Sequence, residues 1–133
     1  MPRLAKGAKW TYGWVVVSPA GSITIPPDAW RDFGFDQGDE AILIPGSRRS
    51  GGFAISTMAL LADLSGQIQG AMPCILARGR FGIGQVFLPP KAGLRPGARL
   101  LAVRGSRHGL GFITQGPIYE EALKQTDRLE VFV

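Results

Sequence analysis

The stretch that decides the fold is Gly21-Ser22-Ile23-Thr24-Ile25-Pro26-Pro27, because it returns 63 residues later as Gly84-Gln85-Val86-Phe87-Leu88-Pro89-Pro90. A second block, residues 33–59, aligns with residues 92–118 once four residues are deleted from the second copy. Ten positions are identical over the two blocks, and the glycines and prolines keep their order and spacing. The chain of 133 residues is therefore predicted to be a single domain, 1–133, built from two tandem copies of one unit.

Each copy has the same order of predicted elements. A short strand runs into a Pro-Pro pair, where the fixed φ of proline starts a short helix in copy one and a tight bend in copy two. A strand, a glycine-rich hairpin, a return strand and a helix then follow. The predicted strands are 11–17, 22–25, 39–44, 52–56, 74–80, 85–88, 98–103, 111–114 and 129–133, and the predicted helices are 27–33, 57–69 and 117–124.

These elements predict a mainly β fold with short helices. Repeat one spans about 11–72, repeat two about 74–126, and a closing strand 128–133. A unit of roughly 55 residues with short twisted strands cannot easily bury both of its faces alone. Two copies can pair and close a barrel, which also removes exposed sheet edges.

Charge is distributed unevenly along the chain. The net charge is +5, yet residues 1–73 contain six basic and six acidic residues, so the whole excess belongs to residues 74–133. The stretch 74–119 contains no acid, and six of its seven basic residues are arginines, which suit bidentate phosphate contacts. A solvated basic surface with no dedicated partner is the alternative, but this segregation favours a polyanion partner.

Several function classes are disfavoured by the residues present. No apolar run is long enough to cross a bilayer, and the first residues lack the apolar core of a secretion signal, so we expect a cytoplasmic protein. Cys74 and His108 are the only residues of their types, and Cys74 is expected to be a buried small hydrophobe. Because no nucleophile–base pair, metal-ligand cluster or phosphate loop is recognisable, we expect a protein that is not an enzyme and uses no metal and no cofactor.

The string from Gly21 to Ile44, with Ile-Pro, Phe-Gly-Phe and Gly-Asp in order, resembles the core of the AbrB/SpoVT/MazE family. The second copy, 84–103, resembles it more loosely, and two units in tandem are similar to regulators of the MraZ type. The resemblance implies a swapped-hairpin β-barrel made from two ββαββ-type repeats. It also implies a transcriptional regulator or antitoxin-like protein that binds DNA, with a toxin as a possible protein partner and homo-oligomers as a common state.

Carried onto this sequence, the family's basic positions match in part. The first-strand position falls on Arg78 in copy two and on Val15 in copy one, and the pair in the short helix falls on Trp30 and Arg31. Other basic residues of copy two could substitute, which would make copy two the phosphate-facing half. The predicted nucleic-acid-binding residues are Arg31, Arg78, Arg80, Lys91, Arg95 and Arg99.

The repeated glycine-rich hairpins suggest a second kind of site. Gly-Ser-Arg occurs at 46–48 and again at 105–107, and turn amides flanked by arginine can hold an anion. The candidate anion-binding residues are Ser47, Arg48, Arg49, Ser106, Arg107 and His108. This favours a second function class, a non-enzymatic module that binds a protein or a small anion, while a simple flexible hairpin tip is the structural alternative.

Aromatic residues stand at the ends of several predicted strands. Trp10, Tyr12 and Trp14 alternate, which predicts one common sheet face that is covered by the fold or another subunit, or that stacks on bases. Phe53 and Phe112 follow the hairpins, and we expect both to pack in the core.

Overall fold

A computed structural model describes residues 10–35, 40–45, 52–57, 71–78, 84–89, 93–106, 109–124 and 129–132. Nine strands and two helices make up this part of the chain. The strands are β1 (Trp10–Val16), β2 (Ser22–Thr24), β3 (Glu40–Pro45), β4 (Phe53–Ser56), β5 (Met72–Arg78), β6 (Gly84–Phe87), β7 (Arg99–Ser106), β8 (Gly109–Ile113) and β9 (Val131–Phe132). The helices are α1 (Pro27–Asp32) and α2 (Pro117–Leu123).

The nine strands form one nearly closed, barrel-like sheet in the order β2-β6-β5-β3-β4-β8-β7-β1-β9. Neighbouring strands are antiparallel except for β1 and β9, which are parallel. Strand ends therefore gather at two rims. The upper rim contains the last residues of β1, β3, β6, β8 and β9 and the first residues of β2, β4, β5 and β7; the lower rim contains the opposite ends.

The strands of the two sequence copies interleave in this sheet, where the pair β3-β4 of copy one lies between the pairs β6-β5 and β8-β7 of copy two. The first strand of copy one, β1, pairs with β7 of copy two, and the first strand of copy two, β5, pairs with β3 of copy one. Residues that are equivalent in the sequence alignment face each other where β2 meets β6 and where β4 meets β8, namely Ile23 with Val86 and Phe53 with Phe112. The rings of Phe53 and Phe112 stack with centroids 5.1 Å apart, and both are buried, as predicted.

Two apolar clusters stabilise the sheet. The larger one fills the inside and includes Val15, Ile23, Val86 and Leu100. The smaller one lies on the outer face, where α2 covers Trp14, Leu101 and Val103 through Ala122, with Leu129 beside them. Alternation along β1 and β7 sends successive side chains to these two clusters, which explains why both strands are apolar at nearly every position.

Both helices begin with proline. Pro27 and Pro117 occupy the first turn, where the missing N–H costs no hydrogen bond, and acidic residues follow at Asp28 and Glu120, near the positive end of the helix dipole. The predicted helix 57–69 lies, apart from Thr57, outside the described residues. No helix in the described ranges is long and apolar enough to cross a membrane.

The prediction that Trp10, Tyr12 and Trp14 share a face is wrong for Tyr12 and Trp14. Tyr12 packs in the inner cluster, whereas Trp14 lies in the outer cluster beneath α2. The cause is a β-bulge, since Thr11 pairs with Val103 and Gly13 with the next residue, Ala102, which leaves Tyr12 as the extra residue.

The second hairpin is tighter than the sequence predicts. We expected strands at 98–103 and 111–114 with a glycine-rich loop between them. Instead, β7 continues to Ser106, β8 begins at Gly109, and these two residues pair with each other. In copy one, the last described pair between β3 and β4 is Pro45 with Phe53, and residues 46–51 lie outside the described part.

Candidate nucleic-acid interface

Arg99 begins β7 at the upper rim, where it pairs with Val16 of β1. Its side chain is exposed on the outer face, and its guanidinium lies 5.3 Å from the ring centroid of Trp14. Trp14 is fully buried, and the ring of Tyr119 from α2 meets it edge-on at 5.3 Å. A cation–π contact with a buried indole restricts the position of the guanidinium and leaves its charge unchanged. The fold therefore orients the side chain of Arg99.

Arg95 lies in the turn that leads into β7. The amide of Ala98 donates to the carbonyl of Arg95 at 3.0 Å, and the amide of Gly97 donates to the carbonyl of Val17 at 2.7 Å. Gly97 has a φ of +87°, which a side chain would oppose. The turn is thus fixed against the end of β1, and it presents the exposed side chain of Arg95 at the same rim as Arg99.

At the upper rim, the described strand ends and the described parts of the connections contain basic residues but no Asp or Glu side chain. The connections that begin and end there are 17–21, 46–52 and 88–98, and the sequence of these segments contains no Asp or Glu. Their basic residues are Arg48, Arg49, Lys91 and Arg95, of which only Arg95 belongs to the described part. Beyond the upper end of β8, the first carboxylate along the chain is Glu120, in the first turn of α2.

The lower rim carries both signs of charge. Helix α1 follows β2 there, and its Arg31 pairs with Asp28 at 2.7 Å, with 74% and 52% of the two side chains exposed. Asp32 accepts a hydrogen bond from the Tyr12 hydroxyl at 2.9 Å, and the guanidinium of Arg104 lies 5.9 Å from the ring centroid of Phe33. Cations and anions are therefore matched locally around α1, which reduces the attraction of this rim for a polyanion.

The six predicted nucleic-acid-binding residues do not form one surface. Arg95 and Arg99 belong to the upper rim, while Arg31 and Arg78, the last residue of β5, belong to the lower rim about 20 Å away along the strands. Arg80 and Lys91 lie outside the described residues. Each rim is built from both copies, so the described arginines of copy two are divided between the two rims.

Strand register also corrects the position matched to Arg78. Val15 pairs with Leu100, and its counterpart in the other half of the sheet is Cys74, which pairs with Ala41. Arg78 lies four residues further on, opposite Gly84. The carry-over that placed Arg78 and Val15 at one position therefore does not match the strand pairing.

The predicted anion-binding hairpins are only partly described. Residues 46–51 and 107–108, which include Ser47, Arg48, Arg49, Arg107 and His108, lie outside the described part. The backbone of Ser106 belongs to β7 and pairs with Gly109, because the strand extends beyond its predicted end. Moreover, strand direction places Pro45 and Phe53, which flank the first hairpin, at the upper rim, and Ser106 and Gly109, which flank the second, at the lower rim.

Buried titratable side chains are held in their neutral forms. Burial, together with the hydrogen bond to Asp32, raises the pKa of Tyr12 well above its ordinary value. Burial raises the pKa of the Cys74 thiol to about 11, as expected for a small side chain packed in the core. Within the described ranges, no group of three or more His, Cys, Asp or Glu side chains could hold a metal ion.

Comparison with known proteins gives no match, since no family model fits the chain and no curated protein or solved structure is significantly similar to it.

Proposed function

We propose that this protein is a non-enzymatic, DNA-binding regulator of the AbrB/SpoVT/MazE type that contacts duplex phosphates with its upper rim. The observation that carries the proposal is the position of Arg95 and Arg99. Both arginines are exposed on a rim where the described strand ends and the described parts of the connections contain no Asp or Glu side chain. Uncompensated arginines on a fixed surface attract the phosphate backbone and make bidentate contacts with it.

Comparison of equivalent positions supports this choice of rim. In the sequence alignment Arg95 corresponds to Asp36 and Arg99 to Glu40, so copy two has arginines where copy one has carboxylates. Glu40 and Arg99 fall at opposite rims, because β3 and β7 begin at opposite ends of the sheet. Of the two copies, only copy two therefore has a cation at these positions.

The strand pairing supports a swapped-hairpin barrel formed by the two repeats. The order of the eight strands β1–β8 is symmetric with respect to the two copies. If β1 and β2 are taken as neighbours across the remaining gap, exchanging each strand of β1–β4 with its equivalent in β5–β8 gives the same cyclic order. The Ser18 amide donates to the Ser22 carbonyl at 2.8 Å, which joins these two strands at the upper rim. Each copy thus contributes its first strand to a partner in the other copy.

The experiment is a DNA-binding measurement across a salt series. Fluorescence anisotropy with a mixed-sequence duplex should give affinity that falls steeply with salt, because phosphate binding releases counterions. The double variant Arg95→Gln/Arg99→Gln should weaken binding by about tenfold or more at low salt. It should also reduce the slope of log K against log salt by about 2, roughly 0.9 for each phosphate that the variant no longer neutralises.

Arg31→Gln is the matched control, because Arg31 is an exposed arginine of the other rim. Its affinity and salt slope should stay close to those of the unaltered protein. The proposal fails if the unaltered protein does not bind mixed DNA at low salt, or if Arg31→Gln and Arg78→Ala reduce binding while the double variant does not.

A further inference from the structure

A small apolar pocket opens beside Arg95 at the upper rim. It lies between the connection from β1 to β2 and the segment that follows β6, and its volume is about 220 Å³. Its walls include Pro19, Gly21, Leu88, Pro89, Leu94 and Pro96. Three prolines and two leucines make a rigid, apolar surface with no charged side chain among them.

The internal repeat shows what occupies the corresponding place at the lower rim. There Gly84, the equivalent of Gly21, lies directly under the ring of Trp30, since a Cβ added to Gly84 would overlap that ring. Trp30 also contacts Phe35, the equivalent of Leu94, with ring centroids 5.7 Å apart. The indole is 8% exposed, so it fills its place in copy one.

Copy two lacks the residue that would fill the pocket. The four-residue deletion between Pro90 and Ala92 removes the counterpart of Trp30 from the sequence. Correspondingly, a Cβ added to Gly21 would have no described atom within 4 Å. Among the described residues, therefore, none fills the place beside Gly21 that the indole of Trp30 fills beside Gly84.

We propose that this pocket binds a small molecule made of a planar aromatic ring and a carboxylate. The ring would occupy the place that Trp30 fills in copy one, against Gly21 and Leu94. The carboxylate would face the guanidinium of Arg95, whose backbone lies between the wall residues Leu94 and Pro96. The described segments beside the pocket, 17–21, 88–89 and 93–98, contain no Asp or Glu, so they do not repel the charge of the ligand. This site does not depend on DNA binding.

The test is a titration of the ¹⁵N-labelled full chain with indole-3-acetate, monitored by amide chemical shifts. We expect shifts at Ala20, Gly21 and Leu94, and a Kd on the order of 1 mM for a ligand of about a dozen heavy atoms. Indole-3-acetamide, which is neutral, should bind about two- to fivefold more weakly, and cyclohexylacetate, which is not planar, should also bind more weakly.

Variants separate the pocket from the rest of the rim. Ala20→Trp places an indole at the wall of the pocket and should abolish binding, while Arg95→Gln should remove the preference for the acid over the amide. Arg31→Gln should not change the affinity for indole-3-acetate. Arg99→Gln should bind indole-3-acetate normally even if its affinity for DNA is lower. Failure of this proposal can therefore be distinguished from failure of the proposed function.

Three results would overturn the proposal. The first is equal binding of the acid and the amide, and the second is binding that survives Ala20→Trp. The third is a single-stranded oligonucleotide that shifts the pocket amides when indole-3-acetate does not, which would assign the pocket to an unpaired base instead of a small molecule.

Discussion

Gly21 and Gly84 occupy equivalent sequence positions but have different neighbours. Gly84 is buried and in contact with Trp30, while Gly21 lines an open pocket with a φ of +80°. The sequence alignment shows a glycine at both positions, but it does not predict that an aromatic ring packs against only one of them. That difference follows from the deletion in copy two, which removes the ring and leaves its neighbours.

Gly84→Ala should destabilise the protein by about 1–3 kcal/mol, because its Cβ would overlap the buried ring of Trp30. Urea unfolding followed by tryptophan fluorescence measures the change. Gly109→Ala is the matched control in a strand, since its Cβ would meet only ordinary contacts at 3.4 Å or more. Equal free energies of unfolding for the two variants would contradict the close packing of Trp30 on Gly84.

At the scale of elements, sequence patterns located most strands and both described helices to within a few residues. The pattern failed at β1, where alternation predicts one face for Tyr12 and Trp14. The bulge there depends on partners far along the chain, since a Cβ on Gly13 would be 2.6 Å from the Glu130 carbonyl oxygen of the segment leading into β9. Local periodicity contains no information about such a distant contact.

The end of β7 is a second place where local patterns mislead. Glycines in 105–111 indicate a long loop, yet Ser106 pairs with Gly109 and Arg104 with Leu110. Glycine weakens a strand but does not prevent pairing when the neighbouring strand is in register. Cross-strand partners therefore decide the length of this hairpin, and the sequence of the hairpin alone does not.

The exchange of β1 and β5 between copies predicts that neither copy folds alone as a monomer. Fragments 1–70 and 71–133 separate β1 from β7 and β5 from β3, so each should give a poorly dispersed amide spectrum. Mixed together, they should recover the dispersion of the intact chain. A fragment that is folded and monomeric by itself would contradict the reciprocal pairing.

For the whole molecule, the rim on which a described arginine lies is not determined by the sequence copy to which it belongs. The sequence shows the excess of arginine in 74–133, which suggested that copy two is the basic half. Antiparallel pairing instead brings Arg95 and Arg99 to one rim, and sends Arg78 and Arg104 towards the other. This sorting requires the strand order, which is why the residue types could be predicted from sequence and their grouping could not.

The most direct test of DNA binding by the upper rim is to locate the DNA contact on the protein. A ¹⁵N-labelled chain titrated with a mixed-sequence duplex at low salt should show amide shifts at Gly97 and Arg99 of the upper rim. Glu40 and Arg31 of the lower rim should stay unchanged, and added salt should reverse the shifts. Shifts confined to the lower rim, or no shift at low salt, would contradict binding at the upper rim.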